Sequence, residues 1–215
     1  MLIQAGLLAV SIVNVNSPNY LELLQFILSS HLILATCSAL ILPYLLASHT
    51  EYILSGLANT DMLSKLLNRR GFFTTSKEAL SNPENLNKNV SIILLDIDFF
   101  KHVNDQFGHD AGDQAIKWIS QHIKKQFINV GISARIGGEE FAILLPNSSL
   151  SEAKNNAEQL RIKISTSPFY YQGQHISLSV SAGVSNALNG SKTIKELLAY
   201  ADKRLYLAKK QAEIK

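Results

Sequence analysis

The chain has 215 residues, 47% of them hydrophobic and 17% charged, with a formal net charge of +3. That is too apolar for a disordered chain and too sparsely charged for an ordinary soluble one. A single cysteine, Cys37, excludes an internal disulfide framework, and no Cys/His cluster reads as a zinc site. The averages conceal a division. Residues 1–50 hold 31 hydrophobic residues and one charged side chain, Glu22. Residues 51–215 hold the other 36 charged residues, 20 basic against 16 acidic, an ordinary density for one globular domain. A surplus of +4 on that part is too small to point to a nucleic-acid polymer as partner.

Met1 to Val15 is apolar but reaches only about 22 Å as a helix, short of a full crossing. It lacks the basic start of a signal peptide. Asn14-Val-Asn-Ser-Pro-Asn19 is turn chemistry. Leu21 to Ala47 then gives 27 residues with one charge at the outer end, about 40 Å of helix against a hydrocarbon core of about 30 Å. The pattern predicts the end of one membrane segment (1–15), a turn and a spanning helix (21–47), so the chain reads as beginning inside a larger membrane region. Pro43 is a candidate kink, and His31, mid-span, is expected to be neutral and bonded to a neighbouring helix. No basic residue precedes Lys65, and Lys65, Arg69 and Arg70 follow the span, which places the C-terminal part in the cytoplasm.

Residues 48–60 form a connector. Val90 to Leu95 is a continuous apolar run, a strand buried on both faces. Asp110 to Phe127 has helical spacing, with Ala115, Ile116, Ile119, Ile123 and Phe127 on one face. Ile132–Ile136 and Glu140–Leu145 read as strands, the second stopped by Pro146. Ser149 and Glu152 form a capping box that opens a helix, and Thr193 and Glu196 open another. Between them Ile176, Leu178, Val180, Ala182 and Val184 alternate with small residues, a strand. Alternating strands and helices predict an α/β layer fold.

Asp96-Ile-Asp98 ends the first strand, and carboxylates at a strand end sit at the rim, facing water or a metal, because burial would be costly. Gly137-Gly-Glu-Glu140 lies between two strands. A Gly-Gly pair there signals a hairpin, since glycine accepts positive φ at little cost and lets a phosphate approach the backbone. If the hairpin lies beside the first strand, three or four carboxylates converge, a donor set suited to magnesium with substrate phosphates. Lys101, Asn104, His109 and Asp113 follow the first carboxylates. Lys101 suits phosphate charge, and Asn and Asp side chains can read a base edge. Taken singly, each of these residues also has an ordinary reading, such as a first-turn charge favoured by the helix dipole for Asp113.

Taken in order, Asp96-Ile-Asp-Phe-Phe-Lys101, Asn104-Asp-Gln-Phe-Gly-His-Asp-Ala-Gly-Asp113 and Arg135-Ile-Gly-Gly-Glu-Glu-Phe141 resemble the GGDEF domain of bacterial diguanylate cyclases. Asp61-Met-Leu-Ser-Lys-Leu-Leu-Asn-Arg-Arg70 resembles that domain's opening motif. Ser181-Ala-Gly-Val-Ser185 and Ala201-Asp-Lys-Arg-Leu-Tyr-Leu-Ala-Lys209 resemble its late strand and last helix. The likeness runs from about Leu57 to Lys210, so a GGDEF domain is expected over 61–215.

The resemblance implies an α/β palm-like fold, with a mostly antiparallel sheet flanked by helices. It implies condensation of two GTP to cyclic di-GMP and two pyrophosphates at a homodimer interface, with magnesium, or manganese in its place. It implies a bacterial inner-membrane protein with a cytoplasmic catalytic domain, whose product is read by cyclic di-GMP receptors. By motif position, Asp96, the Ile97 carbonyl, Glu139 and Glu140 would hold or support the metal, and Glu139 would also be the base. Lys101 would stabilise transition-state charge, Gly137 and Gly138 would make room for phosphates, and Lys209 would contact phosphate. Asn104 and Asp113 would recognise guanine, with His109 nearby. Arg69 and Arg70 read as structural or interfacial.

Three positions depart from the family pattern. Glu213 stands where the family has a phosphate-holding arginine, which motivates the alternative of a GTP-binding module that regulates a partner without turnover. Ser64-Lys65 replaces a Thr-Gly pair. Ile128 and Gly131 stand where many members carry an Arg-x-x-Asp product site, so no feedback inhibition through that site is expected.

Overall fold

The computed structural model describes residues 20–57, 59–85, 88–189 and 191–213, with the side chains of 20, 49–57 and 211–213 left out. The apolar segment 1–15 and the turn after it therefore lie outside the described residues. The chain divides into two units, 1–57 and 58–215.

The first unit is described by one helix, α1 (Tyr20–Leu57). Its segment Leu21–Ser48, 28 residues at a mean hydropathy of 1.9, is long and apolar enough to cross a membrane. Pro43 lies inside the helix. Among the described residues, His31 Nδ1 pairs with the Ile27 carbonyl of its own helix at 2.8 Å. The expected connector is also mostly helix: α1 runs on to Leu57.

The second unit is built on a four-stranded sheet. Its elements are α2 (Arg69–Ser81), β1 (Asn89–Ile97), α3 (Phe100–Phe107), α4 (His109–Phe127), β2 (Ile132–Arg135), β3 (Glu140–Pro146), α5 (Leu150–Thr166), β4 (Phe169–Tyr171), β5 (Gln174–Ile176), β6 (Val180–Leu188) and α6 (Ile194–Glu213). The strand order is β2-β3-β1-β6, and every pairing is antiparallel. A strict alternation of strands and helices usually means a parallel sheet. Here the β2–β3 hairpin and the β4–β5 hairpin interrupt that alternation, which gives the palm-like order instead.

Strand β1 is central and buried on both faces, as its unbroken apolar run requires. Ile93, Leu95 and Ile97 face α4 and α5, where Ile116, Ile119, Ile123, Leu160 and Ile164 complete the larger core. Val90, Ile92 and Leu94 face α2 and α6, against Phe72, Leu197, Ala201 and Leu205. Gly183 lets α6 lie directly on β6, because a Cβ there would stand 2.1 Å from the Ala201 carbonyl oxygen. The capping boxes form as read: Ser149 and Glu152 satisfy each other's amides at the start of α5, and Thr193 and Glu196 do so at α6.

One strand differs from its sequence pattern. Alternation begins at Ile176, yet β6 begins at Val180. Ile176 belongs to the small β4–β5 hairpin, which packs on α4 through Phe169 and Trp118, with ring centroids 5.6 Å apart. Ile176 and Leu178 are buried in the same core as β6, so burial alternates across a break in strand pairing.

A candidate nucleotide and metal site at the end of the central strand

The pairing of β1 with β3 places Asp96 opposite Glu140. The Ile97 amide donates to the Glu139 carbonyl, which closes the tip of the hairpin over the strand end. Asp96 is buried, and its Oδ1 lies 2.7 Å from Lys209 Nζ, contributed by α6. Among the described residues that oxygen has no other partner. Burial pushes the Asp96 carboxyl above the ordinary aspartate range, the Lys209 charge pulls it back, and the Asp98 charge adds to the rise. Glu139 is raised as well, first by burial, then by the charge of Asp96, with Lys209 opposing. Two raised carboxylates, one of them paired with an ammonium, form a donor set that fits a hard divalent cation.

Ile97, Asp98, Phe99, Phe100, Lys101, Glu139 and Lys209 line one cleft of about 190 Å³. Phe99 turns the chain from β1 into α3 through a left-handed conformation, φ 54° and ψ 28°. Of the expected site residues, Ile97, Lys101, Glu139 and Lys209 share this cleft, and Asp96 adjoins it through Lys209.

Asp98 lines the same cleft with both carboxylate oxygens already bonded. Its two carboxylate oxygens accept from Ser179 Oγ at 2.7 Å and Ser181 Oγ at 2.6 Å. The carboxylates of Asp96, Asp98 and Glu139 thus gather at the strand end, with that of Asp98 engaged by two hydroxyls. Glu140, expected among the metal ligands, shares the α6-facing side of the sheet with Asp96 but lines a different cavity, of about 640 Å³. Arg69, Lys195 and Asp202 line that cavity too. A Cβ on Gly137 would stand 2.3 Å from Glu140 Oε2, so the Glu140 side chain fills the space beside that glycine.

The reason for the glycine pair also differs from the one read in the sequence. Among the described glycines, positive φ occurs at Gly108 and Gly173, not at Gly137 or Gly138. Gly137 is needed for the contact with Glu140. At Gly138 the direction of a Cβ is open space, consistent with room for a phosphate.

The expected guanine-reading residues come from two helices. The side-chain oxygen of Asn104, on α3, lies 2.0 Å from where a Cβ on Gly112 would stand, one residue before Asp113 on α4. This close approach sets Asn104 beside the start of α4. Asp113 and His109 are exposed there.

Sequence reasoning gave no role to two residues that hold the hairpin. Arg135 donates from Nε and Nη2 to the Gly138 carbonyl at 3.0 and 2.6 Å, and its Nη1 lies 3.3 Å from Asp61 Oδ1. Asp61 also accepts the Ser64 amide at 2.8 Å. Burial alone would raise the Asp61 carboxyl, but the bonds from Ser64 and the Arg135 charge hold it below the ordinary range. The signal was the recurrence of an acid in the opening motif and an arginine two residues before the glycines, which spacing alone does not connect.

The family described as "Diguanylate cyclase, GGDEF domain" matches residues 58–214. A diguanylate cyclase of Vibrio cholerae is 38% identical over 154 residues, 72% of this chain and 47% of that protein. The response regulator PleD of Caulobacter vibrioides is 35% identical over 170 residues, 75% of this chain and 37% of that protein. The chain therefore spans less than half the length of these relatives. Among solved structures, the GGDEF domain of DgcB from Caulobacter crescentus in complex with c-di-GMP superposes with a TM-score of 0.67 at 30% identity. That match covers 72% of this chain and 89% of that one. The FimX GGDEF domain from Pseudomonas aeruginosa, at 17% identity and a TM-score of 0.67 over 72% of this chain and 96% of that one, shares the fold. The ordered motifs, the antiparallel palm and the site at the end of β1 agree with these likenesses: the chain belongs to the GGDEF domain family of diguanylate cyclases.

Proposed function

We propose that the chain condenses two GTP molecules to cyclic di-GMP and two pyrophosphates, at a site completed by a second copy of the chain. The observation that carries this reading is the convergence of Lys101, Glu139 and Lys209 on one cleft, with Asp96 paired to Lys209 at its edge. In each half-reaction the 3′-hydroxyl oxygen of one GTP bonds to the α-phosphorus of the other. The bond to the pyrophosphate leaving group breaks, and the hydroxyl proton passes to Glu139. A carboxyl raised by burial and by Asp96 is a better proton acceptor at neutral pH than an ordinary glutamate. Lys101 and Lys209 offset the charge on the phosphates, which builds towards the leaving group. Asp113 accepts from the N–H donors of the guanine edge and Asn104 can both accept and donate there, which fixes the nucleoside, and His109 flanks them. Magnesium, held by Asp96, Glu139 and the Ile97 carbonyl, would withdraw charge from the phosphate oxygens, and manganese would serve in its place. Glu140 would support the hairpin from the neighbouring cavity.

Each domain would hold one GTP, so the two reacting atoms come from two copies and the homodimer is the active species. The span α1 would anchor the chain in the bacterial inner membrane, with the domain in the cytoplasm and its product read by separate receptors. Ile128 is exposed and apolar, and Gly131 packs on Leu144 and Leu145. Neither offers charge to a phosphate, in keeping with no feedback inhibition there.

The test is turnover by the full chain in detergent micelles with GTP and magnesium, followed by chromatography of cyclic di-GMP and pyrophosphate. Product is expected, with a rate per chain that rises with protein concentration, and Asp96→Ala abolishes it. GTP binding without pyrophosphate release would favour the regulatory module. The observation behind that second reading is that α6 continues to Glu213, one helical turn beyond Lys209. The Glu213 side chain lies outside the described residues.

A further inference from the structure

The solvent face of α6 carries chemistry that the cleft does not use. Leu197, Ala201 and Leu205 are spaced to face the sheet and are buried. On the opposite side Tyr200, Lys203, Tyr206, Leu207 and Lys210 recur at intervals of three and four, one helix face. Tyr200, Tyr206 and Leu207 are 48%, 58% and 59% exposed, which is unusual for side chains of this size. The lysines stand over the rings: Lys192 Nζ is 4.9 Å and Lys203 Nζ 6.0 Å from the Tyr200 centroid, and Lys210 Nζ is 4.8 Å from that of Tyr206. Of the acidic groups nearby, Glu196 is bonded to its own cap at Thr193, and Asp202 lies on the flank beside Lys195.

We propose that this face of α6 docks on the surface of an anionic lipid bilayer. Tyrosines with apolar rings and polar tips suit the headgroup boundary, a leucine between them adds apolar area, and lysines meet the lipid phosphates. Each lysine brought to an anionic surface is worth about fivefold in binding at low salt. Covalent reach favours a bilayer over other acidic partners. The apolar segment of α1 ends at Ser48 and the second unit begins at Ala58. The nine residues between them keep the effective lipid concentration high, so a surface too weak to bind alone is engaged. The inference rests on reading α1 as a membrane span.

The test uses the full chain in nanodiscs of phosphatidylcholine alone or of phosphatidylcholine with one quarter phosphatidylglycerol. Acetylation rates of Lys203 and Lys210 are read by mass spectrometry, with the exposed Lys124 as internal reference. Lys203 and Lys210 are expected to react at least threefold more slowly in the anionic discs. The protection of Lys210 should vanish at 0.5 M salt and in the double variant Lys203→Glu, Leu207→Gln. Equal rates in the two discs overturn the proposal. Protection that is the same in both lipids and grows with protein concentration assigns the face to a second copy and also overturns it. A chain that stays soluble without detergent and enters no disc refutes the span instead. The face is then assayed on that soluble chain by sedimentation with the same lipids, where failure to bind anionic vesicles refutes the docking.

Discussion

Glu139 holds two opposed demands in one side chain. Its carboxyl is raised by burial and by Asp96, so the ionised form is disfavoured in the folded chain relative to the unfolded one. The associated stability is present below the ordinary glutamate range and is lost as pH rises through the raised value. Glu139→Gln is therefore expected to melt slightly higher than the wild type at pH 7 and at the same temperature at pH 4. Turnover should fall at least 100-fold, the usual loss of a general base. A melting curve at both pH values, with a turnover assay, checks the pair of effects. Lys65 shows strain of another kind. It adopts φ 57° where the family pattern has glycine. Relief of about 1–2 kcal/mol of left-handed strain outweighs the ~0.5–1 kcal/mol that glycine adds to unfolded-state entropy. Lys65→Gly should gain about 0.5–1 kcal/mol, read as a rise in Tm of about 2–3 °C, while Lys65→Ala should gain nothing.

The β2–β3 hairpin is the element on which the site depends, and its tip is clamped from its own base. Arg135 holds the Gly138 carbonyl with two bonds and Asp61 with a third contact. Arg135→Ala removes charge-assisted hydrogen bonds worth about 1.5–3 kcal/mol in the ordinary range. A loss of about 2 kcal/mol in urea unfolding is expected at neutral pH. The loss should shrink as pH falls through the lowered Asp61 value, because protonating that carboxyl breaks the same clamp in the wild type. The elements were also where the sequence was most and least readable. The run from Val90 to Leu95 announced a doubly buried strand, because burial on both faces leaves no polar position. Ser149 and Thr193 announced helix starts, because a cap is local chemistry. The break between Ile176 and Val180 was hidden, since burial alternates there without strand pairing. Helix α3 was hidden too: it has eight residues and follows directly on the site motif.

At the scale of the whole molecule, the second unit packs two cores on the two faces of one antiparallel sheet. The site sits where strand, hairpin and last helix meet. Asp96 comes from β1, Glu139 from the hairpin and Lys209 from α6, 113 residues after Asp96. No spacing rule links residues so distant. The meeting of Lys209 with Asp96 entered the sequence reading through the family resemblance, whereas the bonding of Asp98 to two serines and the second cavity lined by Glu140 had no signal in the sequence.

The Lys209–Asp96 pair, at 2.7 Å, is an internal counter-ion that incoming ligands must exchange. A free cation arriving alone competes with an ammonium already in contact. A triphosphate arriving alone draws the ammonium away and strands a buried carboxylate. Arriving together, each ligand takes the partner the other releases, so their affinities are linked. A synergy of about 5–150-fold, the usual range for coupled sites, is expected between magnesium and a non-hydrolysable GTP analogue. It is measured by calorimetric titration of either ligand with and without the other. Linkage requires the two factors to be equal, and Lys209→Met should reduce both towards one. On the proposed reading, an empty site resists either ligand alone and takes up each more readily once the other is bound.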